Sequence, residues 1–146
     1  MSTLVDIIAK ATKGNENAAD FLLAIHQVAD LWDDLIDKDK PVAADSINRA
    51  FYNALVAIPR NPFYGANFAA LSPLIESAII DWHTANAFEA SKQNLQTAYG
   101  LRCSGQSLCI MTARIIGGSN FAETIALELR SAGDTWAEYA AKHGVQ

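Results

Sequence analysis

Positive charge is scarce in this chain, and the few basic residues do not cluster. The 146 residues include eleven Lys and Arg against sixteen Asp and Glu, which gives a net charge of −5 at pH 7. Proteins that bind nucleic acids normally carry a basic patch that displaces counterions, and an acidic lipid surface repels an acidic chain. We therefore expect no nucleic acid and no membrane among its partners.

Long apolar runs and targeting segments are also lacking. No apolar run approaches the roughly 18 residues that a membrane-spanning helix needs. The chain begins MSTLVDIIAKATKG, without the cationic start and apolar stretch of a signal peptide. Its two cysteines, Cys103 and Cys109, would lie about 240° apart on a helix and cannot pair within it. These features indicate a cytoplasmic protein whose cysteines are reduced.

The common signatures of catalysis are missing as well. The sequence contains no P-loop, no GxGxxG pattern and no GxSxG pattern. Ser, His and Asp are present, but no spacing suggests a catalytic triad. Whether the protein is an enzyme is therefore left open.

Helical periodicity runs through nearly the whole sequence. Apolar residues recur at intervals of three and four, and capping residues, glycines and prolines separate the periodic segments. We predict an all-α fold, a compact antiparallel bundle of five to six helices that forms one domain over residues 1–146. With 51% hydrophobic residues the composition is slightly apolar for a monomer, which favours a homo-oligomer. The predicted helices cover about residues 3–13, 17–37, 45–58, 72–90, 92–116 and 120–142.

The second predicted helix ends in an acidic segment, HQVADLWDDLIDKDKP, at residues 26–41. At 100° per residue, four of its side chains fall within about 60° of one another, and Asp34 lies about 60° further round. These four are His26, Asp30, Asp33 and Asp37. They lie nearly opposite an apolar stripe of Ile25, Val28, Leu31, Trp32, Leu35 and Ile36, as a solvent-exposed face would.

A cation site is the other interpretation of this acidic face. Like charges one turn apart repel each other, and aspartates near a helix C-terminus also face the negative end of the helix dipole. Mg²⁺ would reverse both penalties, because it prefers carboxylate oxygens and commonly binds them together with substrate phosphates. We therefore keep two interpretations, a solvated face and a Mg²⁺ site formed by Asp30, Asp33, Asp34 and Asp37.

The string DDLID at residues 33–37 resembles the first aspartate-rich motif of isoprenoid diphosphate synthases. In that all-helical family the motif binds the Mg²⁺ that holds the substrate diphosphate. The resemblance implies that Asp33 and Asp37 are metal ligands and that Asp34 supports them. This chain has roughly half the length of those enzymes and no proper second motif, so we do not expect a complete prenyl synthase.

A longer resemblance covers most of the chain. The segments GNENAADFLLAIHQVADLWDDLIDKDKP, IPRNPFY and IIGG are similar to those of a group of small, uncharacterised helical proteins encoded by tailed bacteriophages. The resemblance implies a place of action, the cytoplasm of an infected bacterium, and not a reaction.

Two hypotheses of function follow. In the first, the protein binds a phosphorylated small molecule or nucleotide through Mg²⁺ on the aspartates, with Arg102 and His83 as further ligand contacts. In the second, it is a non-enzymatic accessory protein that docks on a host protein, and its acidic face is a solvated or docking surface. Ordinary alternatives for Arg102 and His83 are an ion pair with an acid and a partly buried, hydrogen-bonded histidine, respectively.

Overall fold

The computed structural model describes residues 2–145, and within that range it is helical, with no β-strand. The all-α prediction is therefore confirmed. The chain is divided more finely than predicted, since eight helices have seven or more residues. The α-helical segments are α1 (Leu4–Thr12), α2 (Glu16–Asp37), α3 (Ala44–Tyr52), α4 (Ile58–Arg60), α5 (Pro62–Ala66), α6 (Phe68–Ser91), α7 (Leu95–Leu101), α8 (Gln106–Gly117), α9 (Ser119–Arg130) and α10 (Trp136–Lys142).

The helices group into two compact units, the first ending at Phe68 and the second beginning at Ala69. The expectation of a single domain stays a prediction. None of the helices within residues 2–145 is long and apolar enough to cross a membrane.

In the first unit, short polar caps fix where α1 and α2 begin. Thr3 and Asp6 form a reciprocal capping box, and the Asn15 side chain accepts a hydrogen bond from the backbone N–H of Ala18 at 3.0 Å. The buried faces of the two helices then pack together. That core contains Ile7, Ile8 and Ala11 from α1 and Ala18, Phe21 and Leu22 from α2.

The proline-rich loop packs onto the same core through its aromatic residues. The Phe21 ring stacks on Tyr64 with centroids 4.7 Å apart, and Phe63 is buried beside it. Asn61 caps α5 through the Tyr64 N–H and donates a hydrogen bond to the Asn17 carbonyl at 2.8 Å. Both α1 and α5 thus cover the N-terminal half of α2.

Helix α3 does not end at Tyr52 but continues through a π-helical turn, Asn53–Ala57, into α4. The π turn accommodates one extra residue and rotates the face that follows. Asn53 donates a side-chain hydrogen bond to Gln27 of α2 at 2.8 Å, which ties this turn to the middle of α2.

In the second unit, α8 and α9 form a tight hairpin that turns at Gly117 and Gly118. Gly118 has φ +88°, a conformation open to glycine and strained for other residues. Helix α6 begins at Phe68, earlier than the predicted start at about residue 72, so Pro73 lies inside it. The C-terminal half of α6 shares a small core with α7 and α10, formed by Ala85, Leu95, Ala98 and Tyr139.

Candidate functional site

The acidic residues of α2 face two different directions. Asp30 and Asp34 line a groove of about 460 Å³ between α2 and α3, whose other wall includes Lys40 and Arg49. Asp33 is half-buried and lies about 60° from Ile36 on the helix surface, away from that groove. Of the aspartates predicted from the sequence as one ligand set, Asp30 and Asp34 thus line the groove, whereas Asp33 does not.

Two of these aspartates already have basic side chains as neighbours. The Asp30 carboxylate lies 3.1 Å from His26 Nε2, and the Asp34 carboxylate lies 3.4 Å from Lys40 Nζ. Asp37 also has an interaction partner. Within residues 2–145, no group of three or more His, Cys, Asp or Glu is placed to hold a metal ion. Local partners thus offset part of the repulsion that suggested a metal.

The apolar stripe of α2 continues beyond the elements that cover it. Ile25 and Val28 at its N-terminal end are half-buried, and Leu31 is buried beside α3. Trp32, Leu35 and Ile36, which follow on the same stripe, are 37%, 38% and 56% exposed. Leu35 and Ile36 are thus open to solvent in part, while Trp32 retains a contact of its own.

The neighbouring helix extends this exposed surface. Leu35 and Ile47 line one shallow depression, and Phe51 follows Ile47 by one helical turn, so its side chain points the same way. Phe51 is 59% exposed, and Leu55, in the π turn, is 72% exposed. We call this surface the apolar α2–α3 face and define it as Leu35, Ile36, Ile47, Phe51 and Leu55.

Arg102, predicted as a phosphate ligand, belongs to a polar network in the second unit. Its guanidinium donates to both carboxylate oxygens of Glu89, with Nε 2.9 Å from Oε2, and to the Asn86 amide oxygen at 2.8 Å. Tyr139 donates its hydroxyl to Glu89 at 2.6 Å, and His143 Nε2 lies 3.8 Å from the same carboxylate. The network joins α6, α7 and α10.

Electrostatics inside this network favour the charged form of Glu89. Burial alone would raise the pKa of Glu89, but hydrogen bonds from Arg102 and Tyr139 outweigh it and lower that pKa below its ordinary value. Burial and the Glu89 carboxylate together raise the pKa of Tyr139 to about 12. Arg102 therefore carries the ion pair that the sequence analysis gave as its ordinary alternative.

His83 is exposed on α6, with its ring 5.1 Å from the Trp82 ring. It has at least one further interaction. The sequence analysis missed Glu89, Asn86, Tyr139 and His143 as a group. Glu89 and Tyr139 are 50 residues apart, and no local pattern relates them.

No family model matches the sequence, and no curated protein or solved structure is significantly similar to it. The function is therefore argued from the residues and their geometry.

Proposed function

We propose that this chain is a non-enzymatic accessory protein that binds a host protein through the apolar α2–α3 face, in the cytoplasm of a phage-infected bacterium. The observation that carries the proposal is the exposure of large apolar side chains on two adjacent helices. Contiguous exposed apolar surface on a small protein marks an interaction site more often than an accident of folding.

The composition of the face suits a protein partner. Phe51 is an aromatic residue of the kind that dominates the centres of protein interfaces. Fully burying a Leu, Ile or Phe side chain is worth about 1.5–3 kcal/mol. Several such side chains together can offset the entropy lost on association.

Charged residues of both signs lie beside the face. Lys38 and Lys40 line the depression shared by Leu35 and Ile47, together with Asp34 and Asp39, and Asp33 adjoins Ile36 at the border of the face. A partner with complementary charges at these positions would be oriented by them as it binds.

Photo-crosslinking in bacterial cells tests the proposal. A photoreactive phenylalanine analogue at position 55 should give a discrete adduct with one host protein, and that protein, purified alone, should bind the purified chain. The matched control places the analogue at Leu127 of the second unit, which is also strongly exposed. Equal adducts from the two positions, or none from position 55, would count against the proposal.

A second candidate function is the binding of a phosphorylated small molecule or nucleotide through Mg²⁺. The groove between α2 and α3 favours it, because Asp30 and Asp34 offer oxygen ligands while Lys40 and Arg49 offer positive charge to a phosphate. In this version Asp30 and Asp34, rather than Asp33 and Asp37, are nearest the ligand. The residues that line this groove belong to the first unit.

Thermal melts with Mg²⁺ or Mn²⁺ and a panel of nucleotides and diphosphates test this second function. A ligand at about 100 times its Kd should add about 2.7 kcal/mol of stability. The Asp30→Ala/Asp34→Ala variant should lose that gain, and Asp33→Ala/Asp37→Ala should retain it. A panel that leaves the melting temperature unchanged would eliminate this candidate.

A further inference from the structure

We propose that α10 is a latch, a short helix that undocks from α6 and α7 as one cooperative unit while the rest of the second unit stays folded, and that the Glu89 carboxylate holds it closed. The latch comprises residues 134–143. It lies wholly in the second unit, so the inference does not rest on the proposed function.

Helix α10 is too short to be stable without its neighbours. It has seven residues, Trp136–Lys142, and isolated helices shorter than about 12–15 residues are marginal in water. Its backbone packs against that of α7, and Tyr139 is buried in the small core that also contains Ala85 of α6. The helix should therefore unfold whenever it loses this docking.

Contacts within the latch couple its residues to one another. Lys142 donates a hydrogen bond to the Asp134 carboxylate at 2.5 Å, which joins the two ends of the segment. The Tyr139 ring lies 5.8 Å from the ring of Trp136 and 4.4 Å from that of His143. A segment linked in this way opens as a unit rather than residue by residue.

The turn before the latch is suited to act as its hinge. Gly133 has φ +93°, a conformation that favours glycine, and a Cβ there would meet nothing within 4 Å. Ser131 and Thr135, on either side of it, are exposed. Because little packing holds this turn, the chain can bend here without disturbing α9, which ends at Arg130.

Polar contacts fasten the latch to the two helices beneath it. Tyr139 donates its hydroxyl to the Glu89 carboxylate of α6 at 2.6 Å, and His143 Nε2 lies 3.8 Å from the same carboxylate. Tyr99 of α7 donates its hydroxyl to the Asp134 carbonyl at 2.8 Å. Since two of these contacts end on one carboxylate, Glu89 is the main fastening point.

The charge of Glu89 makes this fastening strong. Arg102, which follows α7, donates a hydrogen bond to the carboxylate and so orients it independently of the latch. A hydrogen bond to an ionised acceptor is stronger than one between neutral groups. The bond from Tyr139 therefore contributes much of the free energy that separates the closed latch from the open one.

Hydrogen exchange of the full chain at pH 7, resolved along the backbone, tests the inference. Tyr139→Phe keeps the ring, removes the hydrogen bond to the latch and leaves the pair of Glu89 with Arg102 intact. Glu89→Gln keeps the shape of the side chain and removes its charge. The matched controls are Tyr52→Phe and Glu123→Gln, which alter an exposed tyrosine and an exposed glutamate.

In the wild type, the amides of residues 136–143 should exchange through one common opening and more readily than those of the α8–α9 hairpin. Tyr139→Phe should raise the exchange of these latch amides by about tenfold or more and leave the hairpin at its wild-type rates. Glu89→Gln should raise exchange in the latch at least as much. Neither control variant should change it.

Three other results would each overturn the inference. If exchange in the α8–α9 hairpin rises together with that in α10, the helix belongs to one cooperative core. If protection declines steadily from residue 136 to residue 143 without a common opening, the chain end merely frays. If Tyr139→Phe leaves the latch amides at their wild-type rates, Glu89 does not hold the helix in place.

Discussion

Removing the charge of Glu89, at the centre of the polar network with Arg102 and Tyr139, is the sharpest test of the structure of the second unit. Glu89→Gln keeps the shape of the side chain and removes its charge, leaving Arg102 without its anion. The side chains of Glu89 and Arg102 are 15% and 29% exposed, respectively. Their ion pair is therefore intermediate between a fully buried pair, whose disruption costs about 3–5 kcal/mol, and an exposed pair, which is worth about 0.2–1 kcal/mol. We expect a loss of about 1–3 kcal/mol in the free energy of unfolding.

Urea unfolding at pH 7, followed by far-ultraviolet circular dichroism, measures this loss. For a chain of this size, each kcal/mol corresponds to about 2–4 °C in melting temperature. The matched control is Glu123→Gln on α9, whose side chain is exposed and should change stability by less than about 0.5 kcal/mol. Equal stability of the two variants would refute the network, and Arg102 would again be a candidate ligand contact.

The pH dependence of the same comparison has a definite sign. The pKa of Glu89 is lower in the folded chain than its ordinary value of 4.5, so its stabilising contribution is present above that value and is lost as pH falls through the folded pKa. The difference in stability between the wild type and Glu89→Gln should therefore shrink below about pH 4.5. A difference that stays constant down to pH 3 would show that the charge of Glu89 is not the cause.

Two further predictions concern glycines and cysteines of the second unit. A Cβ on Gly117 would lie 2.3 Å from Phe121 Cδ2, whereas a Cβ on Gly100 would meet nothing within 4 Å. Thermal melts should therefore show that Gly117→Ala is destabilised by about 1–3 kcal/mol and that Gly100→Ala is stabilised by up to about 1 kcal/mol. Stability changes of the same sign in the two variants would contradict this packing. Burial raises the pKa of Cys109 to about 11, so a disulfide reagent at pH 8 should modify Cys103 first, and Cys103→Ser should remove the fast reaction.

The sequence predicts helix positions well where capping residues and periodicity agree. The boundaries of α2 at Asn15 and before Pro41 follow from local chemistry, as does the stop at Gly117 and Gly118. It predicts less well where one periodic run contains several helices. Apolar spacing continues through residues 53–57 although the backbone there is π-helical, because a one-residue shift leaves a similar hydrophobic pattern.

The site was harder to predict than the fold, for a physical reason. A helical wheel shows that Asp30 and Asp37 lie nearly opposite the apolar stripe of α2 and that Asp33 lies at its edge. The wheel does not show how far along the helix the neighbouring elements extend, and that length decides whether Leu35 and Ile36 are buried. Contacts such as that between Glu89 and Tyr139 depend on the tertiary fold, and sequence spacing carries no sign of them.

The central claim is that the apolar α2–α3 face is an uncovered surface available to a partner, and the unfolding free energy of Phe51→Ser/Leu55→Ser tests it most directly. If both side chains are exposed in the free protein, the double variant should remain within about 0.5 kcal/mol of the wild type. A loss of about 4 kcal/mol or more, the cost of removing two large side chains from a core, would show that the face is covered within the protein. In that case no docking surface would remain there.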